Sequence, residues 1–185
     1  MIQFTTLLSA CLVLAMTVQT ENQGFPSDYI AHAFDFPIGK PDAKGYYNAQ
    51  GFTVNNHLGD DWNGTGGGNS DLGDPIYAVA HGKVKFAKNA GLGWGNVIRI
   101  IHEMPDGKQI ESVYAHCKSM KVAQGDWVKK GEQIATIGNA DGVYLAHLHL
   151  EIRDDVNMPL GGGYLSETAG FFDPTAFIKL HQTAQ

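Results

Sequence analysis

Short runs rich in apolar residues recur along the chain from residue 75 onward. Valine, isoleucine and aromatic residues dominate these runs, and polar residues alternate with apolar ones in several, which is typical of β-strands with one solvent-facing side. The predicted strands lie at residues 75–80, 83–87, 96–101, 109–116, 133–137 and 147–152. Glycine-containing turns separate them, and the turn at 105–107 predicts a hairpin between the third and fourth. The pattern therefore predicts an all-β protein built from antiparallel sheets.

The two flanks of this region follow other patterns. Near the C-terminus, Asp173 is a candidate N-cap and Pro174 suits the first helical position, so a short helix is predicted there. Residues 21–50 contain three prolines and no clear period. We expect them to wrap on the surface of a domain that spans residues 51–185.

The N-terminus has the pattern expected of a targeting signal. The apolar run at residues 7–18 is too short to span a bilayer but matches the core of a secretory signal peptide, so residues 1–20 predict export to the periplasm or the extracellular space. Cys11, in the sequence LSAC, also resembles a lipidation site. Because the apolar run continues beyond Cys11, removal of this cysteine with the signal is the favoured interpretation, and no membrane span is predicted.

Composition excludes some classes of function. With 23 glycines and 17% charged residues, the chain is typical of a turn-rich folded protein. Its formal net charge of −6 leaves no basic surface for a phosphate backbone, so nucleic acid is not an expected partner.

Histidines carry the candidate chemistry. His57 and Asp61 lie four residues apart in HLGDD, His116 ends a predicted strand, and His147 and His149 alternate in HLH, which places both on one face of a strand. Neutral imidazoles with one carboxylate suit zinc, and three protein ligands leave a coordination position for water, as in catalytic sites. Taken singly, each motif also fits a hydrogen-bonded or surface histidine.

The order of the motifs resembles a known family. HLGDD, GDPIYAVAHGKV, GWGNVIRI, YAH, GDWVKKGEQIATIG and HLHLEI are similar to successive blocks of the LytM/lysostaphin family of zinc endopeptidases, over residues 57–153. The resemblance implies that His57, Asp61 and His149 bind zinc and that His116 and His147 are the catalytic histidines. It also implies a sandwich or open-barrel-like antiparallel fold, and peptidoglycan peptides as substrate.

Two segments depart from the family pattern. A glycine-rich loop at residues 62–73 follows the aspartate of HLGDD, and residues 142–146 replace a Thr-Gly-Pro-like segment before HLH. Both are expected to flank the cleft, with Gly66–Gly68 as a flexible rim. These departures favour a second hypothesis, a catalytically silent binding or regulatory module that activates a cell-wall hydrolase.

Other candidates fit the pattern less well. Cys117 follows His116 directly, so the two side chains point to opposite faces of a strand and Cys117 is expected to be a buried apolar residue. A biotin- or lipoyl-carrier domain would place its acceptor lysine at Lys121, which is too close to Gly125 for the hairpins such a domain needs. The remaining histidines, which are expected to be surface or turn residues, are His32, His81, His102 and His181.

Overall fold

A computed structural model describes residues 24–91 and 93–182, and within them the chain forms ten strands and one α-helix. The elements are β1 Tyr46–Gln50, β2 Asp60–Gly64, β3 Pro75–Tyr77, β4 Gly82–Asn89, β5 Asn96–Glu103, β6 Gln109–Met120, β7 Trp127–Val128, β8 Gln133–Ile137, β9 Leu148–Arg153, β10 Phe171–Phe172 and α1 Pro174–His181. Short helical turns occur at Ser27–Tyr29, Gly39–Ala43, Val54–Asn56 and Ala140–Gly142. The prediction of an all-β protein with a short C-terminal helix is confirmed.

The strands pair antiparallel in one sheet, with the main order β1-β2-β9-β6-β5-β4-β7 across the described residues. β10 pairs with β9, and β8 pairs with both β3 and β6. The long strand β6 serves two neighbours, because its first half pairs with β9 and its last residues pair with β8. β6 is therefore the central strand of the sheet, and β9 joins it to β2.

All six predicted strands are present, and the predicted hairpin is β5–β6. Gly107 occupies its turn with a φ of 82°, a conformation that favours glycine. The prediction missed β1, β2, β7 and β10. β7 and β10 have only two residues each, and β2 has the polar sequence DDWNG, so none shows an apolar alternation long enough to recognise.

The main hydrophobic core lies against one face of the central strands. Leu148, Leu150 and Ile152 alternate along β9 and are fully buried in it. Residues 24–50 also contribute to this core, since Phe34, Phe36 and Ile38 are at most 5% exposed. The expectation that this segment wraps on the surface is therefore wrong, because its aromatic and aliphatic side chains fill the core without a regular period.

The C-terminal helix has the predicted N-terminus. The Oδ1 of Asp173 accepts a hydrogen bond from the backbone N–H of Ala176 at 2.9 Å, and Pro174 is the first helical residue. Ile178 is buried in the main core, so α1 closes one side of the domain.

Across residues 24–91 and 93–182, every helix is too short or too polar to cross a membrane. The predicted signal peptide and Cys11 lie outside the described residues.

Candidate metal centre

Strand pairing brings the three predicted metal ligands together. Asp61 on β2 is directly opposite His149 on β9, and His57 precedes β2 by one short turn. The Oδ1 of Asp61 is 2.9 Å from His149 Nδ1 and 3.3 Å from His57 Nε2, and the two ring nitrogens are 3.0 Å apart. One ligand atom from each residue thus lies within 4.8 Å of the others.

This group has the donor set of a zinc site. Two imidazole nitrogens and one carboxylate oxygen are ligands that zinc prefers, and three protein ligands are the number found in its catalytic sites. His57 is fully buried and His149 is 4% exposed, so the approach to the group is from the side of Asp61. The residues present therefore fit a zinc ion.

The electrostatics of the group favour a cation. Burial lowers the pKa of His149, but hydrogen bonds to the carboxylates of Asp61 and Glu151 outweigh it and raise that pKa to about 9. For Asp61, burial alone would raise the pKa, but hydrogen bonds from His149 and His57 outweigh burial and hold the pKa of this carboxyl below its usual range. Two carboxylates thus flank a ring that holds a proton, and a metal ion that replaces the proton would meet the same negative charge.

A buried carboxylate orients the ring of His149. Glu151 lies two residues further along β9, on the same face, and its Oε1 is 3.1 Å from His149 Nε2. With Nε2 as the donor, Nδ1 is left free to bind a metal. Arg153 Nε donates to the other oxygen of Glu151 at 2.7 Å, and its Nη1 and Nη2 donate to the carbonyls of Pro159 and Leu160. This network was not predicted from the sequence.

The two predicted catalytic histidines lie beside the metal ligands. The ring centroids of His116 and His147 are 4.6 Å apart, and that of His116 is 5.8 Å from that of His149. His147 Nε2 is 3.8 Å from Asp61 Oδ1. Four of the five predicted site residues, Asp61, His116, His147 and His149, therefore line one cleft. The buried His57 lies behind them, against Asp61 and His149.

Both histidines expose the same ring nitrogen. His116 Nδ1 is 3.2 Å from the carbonyl of Trp94, and His147 Nδ1 is 2.8 Å from the carbonyl of Leu145. A carbonyl only accepts, so Nδ1 carries the proton in each ring and Nε2 is an acceptor in the neutral form. Burial, followed by the neighbouring His147 and His149, lowers the pKa of His116 to about 3.

A β-bulge aims His116 at the cleft. Tyr114 pairs with Ile98 and Cys117 with Asn96, so β6 has one more residue than β5 over this stretch. His116 occupies the bulge with a φ of 60°, and its backbone N–H also bonds the carbonyl of Trp94. A bulge of this kind turns a side chain away from the regular alternation.

The cleft has a volume of about 770 Å³ and aromatic walls. Trp94, Tyr144 and Tyr164 line it beside the site residues, together with the backbone of Gly161–Gly163. Trp94 Nε1 donates to the carbonyl of Gly161 at 3.0 Å, which joins two of these walls. The sequence analysis did not identify this lining, although a run of three glycines was a signal for close backbone approach.

Two predictions about neighbouring residues have different outcomes. Tyr144, in the 142–146 segment, lines the cleft as expected, but the residues that line it include none from the glycine-rich loop beyond Asp61. The loop instead contacts the 142–146 segment from behind. Cys117 is 3% exposed, as predicted, and burial raises the pKa of its thiol to about 12.

The residues of the site and the match to a family model point to the same class of protein. Two histidines and an aspartate on a β-sheet, beside a cleft with two further histidines, have the composition of a hydrolytic metal centre. Residues 60–159 match the family model described as Peptidase family M23. The chain belongs to this family, and the resemblance stated from its sequence motifs is confirmed.

The curated relatives match over less than half of the chain. Lipoprotein NlpD of Yersinia enterocolitica is 42% identical over 81 residues, which are 44% of this chain and 78% of that protein. The murein hydrolase activator NlpD of Escherichia coli is also 42% identical over 81 residues, and the match spans only 20% of its length.

A solved structure confirms the fold. The antimicrobial peptidase lysostaphin from Staphylococcus simulans aligns with a TM-score of 0.58 at 23% identity, over 81% of this chain and 54% of that one. At this identity the likeness shows that the two chains share a fold.

Proposed function

We propose that the protein is an exported, zinc-dependent endopeptidase that hydrolyses peptide cross-links or stem peptides of bacterial peptidoglycan. The observation that carries the proposal is that the candidate metal-ligand group of His57, Asp61 and His149 lies beside a cleft into which two further histidines face. These two, His116 and His147, are each held at Nδ1 by a backbone carbonyl. The family and the names of the relatives support the substrate class.

His57, Asp61 and His149 would hold the zinc ion through Nε2, Oδ1 and Nδ1. When bound, zinc polarises a carbonyl oxygen and lowers the pKa of its water to near ~7. Asp61 and His149 line the cleft and the buried His57 lies against both. This position fits the role, because a peptide lying across the cleft would bring its carbonyl close to the three residues.

His116 and His147 would move the proton. In the neutral ring of each, the proton is on Nδ1 and Nε2 is an acceptor, so either could accept a proton from the attacking water and pass it to the leaving amine. A ring that has taken up the proton at Nε2 becomes a hydrogen-bond donor to the oxygen of the tetrahedral intermediate. The carbonyls of Trp94 and Leu145 hold both rings in the orientation that this transfer needs.

A second candidate function is a regulatory module that binds and activates a cell-wall hydrolase. It is favoured by the name of the Escherichia coli relative, murein hydrolase activator NlpD. In that case the cleft would bind a partner or a peptide without turnover, and neither proton transfer nor zinc would be required.

Digestion of purified peptidoglycan separates the two functions. We expect the zinc-loaded protein alone to release muropeptides, a chelator to stop the release and added zinc to restore it. His116→Ala and His147→Ala should keep their zinc and lose about 100-fold or more in rate, whereas His149→Ala should lose the metal. Release that appears only with an added murein hydrolase, and that survives both chelation and His147→Ala, would establish the regulatory function instead.

A further inference from the structure

The two segments that depart from the family pattern contact each other beside the catalytic histidines. Asn69 in the glycine-rich loop accepts a hydrogen bond at its Oδ1 from the backbone N–H of Ala146, at 2.8 Å. Asn63, on β2 just before the loop, donates from its side-chain amide to the carbonyl of Ala146, at 3.0 Å. These two asparagine side chains thus satisfy both backbone polar groups of Ala146, which is fully buried.

These hydrogen bonds hold a segment that is not paired in the β-sheet. β9 begins at Leu148, so Leu145 and Ala146 lie before the ladder, and His147 joins it through an isolated bridge to Gly138. The ring of His147 is held by the carbonyl of Leu145, which belongs to the peptide group that leads into Ala146. If this peptide group rotates, the carbonyl moves and the ring loses the partner that fixes its tautomer.

The loop is built as a rigid support. Its two ends are joined by a hydrogen bond from the backbone N–H of Gly64 to Oδ2 of Asp71, at 2.8 Å, and Asp71 is 2% exposed. Gly67 and Gly68 have φ values of 75° and 58°, which let the chain turn tightly between these ends. The backbone of Thr65 also bonds the carbonyl of Gly45. The expected flexible rim is therefore a closed loop that presents Asn69 in a defined position.

We propose that Asn63 and Asn69 are positioning residues for His147, and that they fix its ring by clamping the peptide groups on both sides of Ala146. The inference rests on the proposed function, which gives His147 a proton to move. Neither asparagine lines the cleft, so each acts through the backbone and not by contact with substrate.

The same substitution at the two positions gives a matched test. Asn69 needs only to accept, so Asn69→Asp should keep most of the activity, whereas Asn69→Ala should lose it. Asn63 must donate, so Asn63→Asp and Asn63→Ala should both lose activity. We expect kcat to fall about 10- to 100-fold in the three disrupted variants, with KM and zinc content unchanged, because a small misplacement of a catalytic group has an effect of this size.

A spectroscopic readout tests the clamp without turnover. In zinc-free protein, the Nδ1–H of His147 should give a protected ¹H–¹⁵N resonance that is absent in His147→Ala. This resonance should be weakened or lost in Asn63→Ala and Asn69→Ala, and kept in Asn69→Asp. If the ring resonance is unchanged in the alanine variants, or if Asn69→Asp is as impaired as Asn69→Ala, the clamp is refuted. An inactive wild type with the expected resonances would refute the peptidase function and leave the clamp standing.

Discussion

At the scale of single residues, the hydrogen bond at one ring nitrogen of a proposed ligand histidine leaves the other nitrogen free for a metal. His57 Nδ1 is buried and lacks a hydrogen-bond partner among the described residues, whereas His149 Nε2 is bonded to Glu151. The carboxylate of Glu151 thus favours a proton on Nε2 of the proposed ligand His149 and, through Arg153, ties the ring to the backbone at Pro159 and Leu160.

Replacing Glu151 by Gln should weaken zinc binding about 10- to 100-fold, as is typical for loss of such an outer partner. If the NH₂ of the new glutamine faces Arg153, two hydrogen-bond donors oppose each other. If the NH₂ faces His149 instead, Nε2 must accept, which puts the ring proton on Nδ1, the nitrogen proposed to bind the metal. Competition with a chromogenic chelator measures the zinc affinity. Circular dichroism checks that the variant is folded.

The exposed Glu167 provides the control for this substitution, since its carboxylate accepts a hydrogen bond from the backbone of Ala169 on the surface. Glu167→Gln should bind zinc like the wild type. Equal zinc affinity in a folded Glu151→Gln variant would show that the carboxylate does not orient His149.

The sequence pointed to the candidate site residues more readily than to the residues that orient them. His57, Asp61, His116, His147 and His149 were singled out by residue type and spacing, and the resemblance to the LytM/lysostaphin family implied their roles. Glu151 was within reach of the same argument, since it continues the alternation of HLHLE on one face. The contact of Asn69 with Ala146 was not, because it joins residues 77 positions apart through a side chain that has many other roles.

At the scale of elements, the approach of β2 to β9 depends on the absence of a side chain at Gly59. A Cβ atom built there would lie 2.4 Å from the carbonyl oxygen of Leu150, 2.9 Å from Cγ of Glu151 and 3.1 Å from Cε1 of His149. Gly59 separates His57 from Asp61, so a residue that pushed the strands apart would also separate the ligands.

Gly59→Ala should therefore reduce both stability and zinc affinity. Overpacking against backbone costs about 1–3 kcal/mol, and urea unfolding of the zinc-free protein measures this loss. Gly162→Ala is the matched control, because a Cβ there meets no atom within 4 Å and its φ is not in the left-handed region. If the two variants unfold at the same urea concentration, β2 and β9 accommodate a side chain at position 59 and the prediction is wrong.

Element boundaries were predictable to the extent that their pattern was local. The run at 83–87 alternates lysines with apolar residues, and the runs at 133–137 and 96–101 are rich in isoleucine and valine. β4, β8 and β5 are found there. The bulge at His116 was not predictable, because it arises from a difference in register between β6 and β5. The same residue that the sequence identified for its chemistry thus owes its orientation to a partner strand.

At the scale of the whole molecule, the core extends beyond the repeated strand pattern. Phe34, Phe36 and Ile38 were assigned to a surface segment because prolines interrupt them, yet they pack against residues of the central sheet. A segment that crosses the core only once can bury its side chains without the sequence periodicity of a helix or a strand. The division at residue 51 remains a prediction about domain limits, while the packing joins both sides of it.

The sequence analysis was also wrong about His102, which is fully buried. It follows Ile98 and Ile100 at alternate positions of β5, so it lies on the face that carries the main core. Its Nε2 bonds Ser112 at 2.7 Å and its Nδ1 bonds the carbonyl of His81 at 2.8 Å. The Oγ of Ser112 is also hydrogen-bonded to the hydroxyl of Tyr114, at 3.0 Å, and this hydroxyl accepts from the backbone N–H of Val79.

This buried histidine should make the fold sensitive to acid. Burial lowers the pKa of His102 from 6.5 to about 4. Between these values the unfolded chain binds a proton that the folded chain does not, so stability is fully present above pH 6.5 and falls as the pH drops toward 4. The shift corresponds to about 3 kcal/mol, the most that this residue can contribute to the loss.

Urea unfolding of zinc-free protein between pH 4.5 and 7.5 measures this contribution as a difference between wild type and His102→Gln. At pH 7.5 the His102→Gln variant should be less stable than the wild type, because glutamine disturbs the hydrogen bonds to Ser112 and His81. Glutamine does not titrate, so the difference in free energy of unfolding between the two proteins should narrow by about 2–3 kcal/mol on acidification. His32→Gln, at an exposed position, should follow the wild-type curve. A gap that stays constant with pH would mean that His102 titrates alike in the folded and unfolded chains, and that another group causes any sensitivity to acid.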